Sequence, residues 1–238
     1  MKWVKQSIHY WCPDTKEHKF LGQNVTVAIL DTGISPHPDF KDRILSFRDF
    51  SSSTGSSEKV FFSFSHFSPL IDNSGHGTHV AGILAGSGLL SSGTYAGIAP
   101  FCNLIIGKVL DQNGNGSIKN VINGIQWIRD IYTQFHIRII NISVGTRPDL
   151  SIHQKLLLLN AVESLWDLGL VVVVSAGNYG PAPGSVTVPG SSPKVITVGV
   201  PDTFPLIHTQ KHPLNYSGRV LQMIALSNLM FLPPAQEL

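Results

Sequence analysis

Residues 170–178 read Leu-Val-Val-Val-Val-Ser-Ala-Gly-Asn, four consecutive valines closed by a small, turn-prone tetrad. A run that is apolar at every position has no polar face to give to water. It predicts a strand covered on both sides, the condition met where helices flank a parallel sheet. Similar short runs lie on either side of it: VTVAIL from Val25, LIIGKVL from Leu104, IRIINIS from Ile137 and KVITVGV from Lys194. Between them, HGTHVAGILAG from His76, SIKNVINGIQWIRDIY from Ser117 and SIHQKLLLLNAVESLWDLG from Ser151 carry helical periodicity. The alternation predicts an α/β fold, a mainly parallel sheet with helices on its faces. In such folds the ligand crevice opens beyond the carboxyl ends of the strands. The Ser- and Phe-rich stretch from Phe47 to Asn73 has no sustained period and is expected to be a surface excursion.

With 238 residues, 42% of them hydrophobic, the chain is long enough to bury one core and suggests a single domain. Seventeen basic against 15 acidic residues leave a formal charge of +2, which excludes the basic excess of a nucleic-acid binder. No apolar run approaches the roughly 20 residues a membrane helix needs, so no membrane partner is expected. Cys12 and Cys102 lie far apart and outside any C-x-x-C spacing, which predicts buried free thiols rather than a disulfide or zinc site. Residues 1–20 lack an apolar stretch followed by small residues, so a cytoplasmic location is expected, or secretion if the chain is truncated at its N-terminus.

Three short segments carry chemistry. Asp31 follows VTVAIL and precedes Thr32-Gly33, placing a carboxylate at the carboxyl end of a strand. Alone, D-T-G reads equally as a turn. His76 opens a helix in DNSGHGTHVAGILAG; an imidazole there can accept a proton from a hydroxyl and return it to a leaving amine. His79 is expected to be a packed core residue, because H-G-T-H lacks the spacing of a zinc-binding H-E-x-x-H helix. Asn178 ends the valine strand, where its amide could donate to a developing oxyanion. Taken alone, G-N-x-G is a turn.

Together, I-L-D-T-G, H-G-T-H-V-A-G and S-A-G-N stand in the order found in the subtilisin-like serine proteases, and the chain resembles that family from about Val25 to Val200. Ile105 to Ser117, Asn141 to Gly145 and Val188 to Val200 also resemble family segments, closest to the AprX-like bacterial members. The resemblance implies a subtilisin-like three-layer fold and a serine endopeptidase. In it Asp31 would orient His76, His76 would act as general base and then acid, and Asn178 would support the oxyanion. It further implies that Gly114, Asn115 and Gly116, with Ser143, Val144 and Gly145, flank an extended polypeptide substrate as an added strand. Ser175, Ala176 and Gly177 would line the pocket for the residue before the scissile bond. Asp72 would either face the neighbouring subsite or be a solvated loop carboxylate. Asp39 could match a calcium-ligand position, but GSGLLSSGTYAGIAP lacks the Asn-rich loop that completes that site, so calcium is only weakly indicated and no other cofactor is expected. A monomer is expected.

The family's G-T-S-M-A segment, which holds the nucleophilic serine, does not occur here, and Ser217 in N-Y-S-G-R resembles the strand preceding it. The expected organisation is a lead-in over 1–24, an incomplete catalytic domain over 25–219, truncated at its C-terminal side, and an unrelated tail over 220–238. Restoring one base near Arg219 or Val220 would let Ser227 to Ala235 encode K-P-[ND]-V-F-A-P-G, close to a family segment, so the tail reads as frameshifted. An inactive product is therefore expected, and a peptide-binding fragment or a chain that does not fold are the rival readings.

Overall fold

A computed structural model of the chain describes residue 5 and residues 20–51, 59–60, 72–147, 149–200, 217–219 and 229–231. Among the described residues eight strands form one sheet: β1 (Thr26–Asp31), β2 (Ile44–Asp49), β3 (Lys59–Val60), β4 (Asn103–Lys108), β5 (Ile137–Ile142), β6 (Val171–Ser175), β7 (Ile196–Gly199) and β8 (Leu229–Phe231). Their spatial order is β3-β2-β4-β1-β5-β6-β7-β8. All neighbours run parallel except β2 and β3. Among the described residues three α-helices, α1 (His76–Ala85), α2 (Ile118–Ile131) and α3 (Ile152–Asp167), supply the crossovers of a three-layer α/β fold.

Strand alternation divides the core in two. Ala28 and Leu30 of β1 point into a cluster with Val121, Ile125 and Ile128 of α2 and Leu158, Val162 and Leu165 of α3. Val27 and Ile29 point the other way, onto Ala81 and Ala85 of α1. Both faces of β1 are therefore dry, which is why its central residues Val27 to Leu30 are all apolar. Ser117 starts α2 by accepting the Asn120 N–H, and Ser151 starts α3 with a reciprocal capping box to Gln154. Gly124 lets α2 approach the sheet closely: a Cβ there would stand 2.9 Å from Val109 Cγ1.

Three expectations need correction. The Phe47–Asn73 stretch is not wholly an excursion, since Phe47 lies in β2 with 5% of its surface exposed and Lys59–Val60 pair antiparallel to it. Residues 52–58 and 61–71 of that stretch lie outside the described residues, as does Cys12. The valine strand β6 is sealed on one face by Val172 and Val174, whereas Val171 on the other is 38% exposed, because α1 covers β1, β2 and β4. His79 is exposed on α1 rather than packed, being on the side of the helix away from Gly77, Ala81 and Ala85. Among the described residues no helix is long and apolar enough to cross a membrane.

Candidate active site

Because β4, β1, β5 and β6 are parallel neighbours, the segments leaving their carboxyl ends share one edge of the sheet. Asp31 is the last residue of β1 and fully buried. Its carbonyl accepts the N–H groups of Val109 and Leu110 just past β4, which ties the two exits together. Its Oδ1 accepts the Thr32 N–H at 2.7 Å and lies 2.7 Å from His76 Nδ1. Oδ2 has no partner among the described residues.

His76 is the first residue of α1, and its imidazole is about half exposed (52%). The helix can begin this close to β1 because Gly77 follows: a Cβ there would overlap the Gly33 carbonyl oxygen and stand 3.2 Å from Asp31 Oδ1. One ring nitrogen is thus held against a buried carboxylate while the ring reaches solvent. That arrangement fixes the tautomer carrying a proton on Nδ1 and leaves Nε2 as the acceptor for an incoming proton.

Asp72 is not the solvated loop carboxylate anticipated; only 8% of its surface is exposed. Oδ1 accepts Thr32 Oγ1–H at 2.8 Å and the N–H groups of Gly75 and Ser74 at 2.9 and 3.2 Å. Oδ2 accepts Thr78 N–H and Oγ1–H at 2.8 and 2.5 Å. Burial pushes the Asp72 carboxyl up, but the bonds from Thr78, Thr32 and Gly75 outweigh it and hold the group below the usual carboxylate range. Lys108, buried at the end of β4, donates from Nζ to Thr32 O at 2.5 Å and to Leu110 O at 2.9 Å. Sequence reading passed over Lys108. Its one visible signal is a lysine inside an otherwise apolar strand run.

The remaining predicted residues fall into three backbone segments. Gly114, Asn115 and Gly116 form an exposed turn braced by Asp111, whose Oδ1 accepts the Asn113 and Asn115 N–H groups. Ser143 accepts the Asn141 Nδ2–H at 2.8 Å, and Val144 and Gly145 follow β5. Ser175, Ala176 and Gly177 leave β6; Ala176 N–H bonds Val198 O, and Gly177 O accepts the Gly218 N–H. The second and third segments meet, since a Cβ on Gly145 would lie 3.4 Å from Gly177 Cα. Asn178 follows at the surface, without a hydrogen bond among the described residues.

Asp39 lies in the 3-10 turn Pro38–Phe40. Its carboxylate is turned to backbone donors, with Oδ2 on the Gly88 N–H at 3.0 Å and Oδ1 on the Leu90 N–H at 3.3 Å. Among the described residues no group of three or more His, Cys, Asp or Glu could hold a metal. Cys102 is buried and free, its thiol pushed up to about 11 by that burial.

Comparison with known proteins places this geometry in context. The model of the subtilase family, Peptidase S8, matches residues 22–225. The chain is 43% identical over 186 residues to serine protease AprX of Bacillus subtilis strain 168, covering 76% of this chain and 39% of that protein. It is 37% identical over 161 residues to the major intracellular serine protease of the same strain, covering 67% of this chain and 44% of that protein. Among solved structures, sphericase superposes with a TM-score of 0.67 at 28% identity, covering 83% of this chain and 59% of that one. The S41 psychrophilic protease also gives 0.67, at 29% identity, covering 85% and 61%. The chain thus spans less than half the length of these two curated relatives. With the family model matched over most of the sequence, this chain belongs to the subtilase family of subtilisin-type serine proteases.

Proposed function

We propose that this chain carries the Asp–His part of a serine endopeptidase site, in which Asp31 orients His76 and His76 moves the proton between nucleophile and leaving amine. The observation that carries the reading is the 2.7 Å contact between His76 Nδ1 and the buried Asp31 Oδ1 at a strand's carboxyl end. A buried anion on Nδ1 stabilises the imidazolium formed when Nε2 takes a proton. Asn178, exposed and uncommitted at the end of β6, serves as the oxyanion donor. An extended polypeptide lies between the 114–116 and 143–145 segments, whose glycines let another backbone approach.

The nucleophile is the missing member, since no G-T-S-type segment occurs in the 238 residues. The reading therefore includes a shifted frame after Arg219, with the serine encoded in the restored frame. Sequencing the coding DNA and expressing the restored frame tests it. The restored product should be labelled covalently by a fluorophosphonate, and the His76→Ala variant should not. A restored frame without K-P-x-V-x-A-P-G followed by G-T-S, or labelling indifferent to His76, would overturn the reading. For the given chain, the adjacent 143–145 and 175–177 segments favour binding of extended peptides without cleavage.

A further inference from the structure

Asp72 is a buried carboxylate beside the Asp31–His76 pair to which the proposed chemistry assigns no role. Its donors belong to two separate pieces of chain. Thr32 directly follows Asp31, whereas Ser74, Gly75 and Thr78 flank His76. Thr32 closes the circuit: its N–H goes to Asp31 Oδ1, its Oγ1–H to Asp72, and its Oγ1 accepts the Gly77 N–H at 2.9 Å. One bridge therefore joins the turn that carries the carboxylate to the helix start that carries the imidazole, a span of 40 residues between Thr32 and Asp72.

We propose that Asp72 is a positioning residue for the Asp31–His76 pair, holding the imidazole Nδ1 on Asp31 through Thr32 on one side and the first turn of α1 on the other. The proposal rests on the endopeptidase reading. Two physical points support it. Bonds between charged acceptors and N–H or O–H donors are short and about twice as strong as neutral ones, so five of them give a stiff joint. Charged groups also hold the turn from three sides. Asp72 holds Thr32 from its hydroxyl, Lys108 on β4 holds it from its carbonyl, and Asp31 accepts its N–H. A carboxylate that only capped α1 would need Ser74, Gly75 and Thr78 but not Thr32.

That difference defines the experiment. In the full chain, the His76 Nδ1 proton is followed by NMR and assigned by its loss in His76→Gln. Asp72→Asn and Thr32→Val should each speed exchange of this proton with water by about tenfold, as loss of one charge-assisted hydrogen bond implies. Thr32→Ser, which keeps the hydroxyl, should restore the wild-type signal. Thr32→Val leaves the Asp72 charge and its bonds to α1 in place, so it decides the matter if Asp72→Asn does not fold. A signal unchanged in Thr32→Val, or lost equally in Thr32→Ser, overturns the positioning role and leaves Asp72 as a helix cap. Asp31→Asn separates the two readings: if it leaves the proton untouched, the Asp31–His76 pair itself fails, and the endopeptidase reading with it.

Discussion

At the scale of single residues, the site depends on burying charge only where hydrogen-bond donors already wait. Asp72 is ionised in a nearly dry position because five donors face it, and the sign of its pH effect follows. Its folded-state value lies below that of an unfolded aspartate, about 3.9. The stability it contributes is therefore fully present above about pH 4 and is lost as pH falls through the folded value. Unfolding free energy measured by urea titration between about pH 3 and 5 should fall less steeply for Asp72→Asn than for the wild type; equal slopes would remove Asp72 from the acid transition. Asp31 and His76 stand out in the sequence because I-L-D-T-G and H-G-T-H-V-A-G occur together and in order, although D-T-G alone reads equally as a turn. Asp72 was not. Its donors come from residues 32 and 74–78, and sequence shows no sign that the Thr32 hydroxyl folds back across 40 residues.

At the scale of elements, the pair exists because a helix start and a strand end approach to backbone contact. Gly77 permits it, since any Cβ there meets the Gly33 carbonyl and crowds Asp31 Oδ1. Gly77→Ala should cost about 1 to 3 kcal/mol, the range for forcing extra volume into a packed contact. It should also break the His76–Asp31 hydrogen bond. Thermal unfolding with the Nδ1 proton signal checks both, and a variant with full stability and an intact signal would show the approach to be slack. The same element scale explains which strands could be read. The runs now seen as β1, β4, β5, β6 and β7 stand out through clustered Val, Ile and Leu, although only β1 and β4 are buried along nearly their whole length and Val171 of β6 stays exposed. β2 was missed because Ser46, Arg48 and Asp49 interrupt ILSFRD, and it lies toward the β3 edge, where full burial is not required.

At the scale of the whole molecule, the α1 layer is tied to the sheet through a single cation. Here an arginine gathers the carbonyls. Arg43, just before β2, donates from Nη1 to Cys102 O at 2.9 Å and from Nη2 to Ala85 O at 2.6 Å and to Asp39 O. These acceptors lie at the entry to β4, at the end of α1 and in the 3-10 turn Pro38–Phe40. Asp39 completes the tie by binding the Gly88 and Leu90 N–H groups. A guanidinium is a fixed cation with several donors in one plane, so it can organise oxygens from three segments as a bound cation would. The expected consequence is a chain whose melting temperature is unchanged by a chelator. Arg43→Gln, by contrast, should lose about 3 kcal/mol, the scale of hydrogen bonds made by a charged group. For a domain of this size that lowers the melting temperature by about 6 to 12 °C. Added calcium should not restore it. A chelator that lowers the wild-type transition, or calcium that rescues Arg43→Gln, would give a metal ion the role assigned to Arg43.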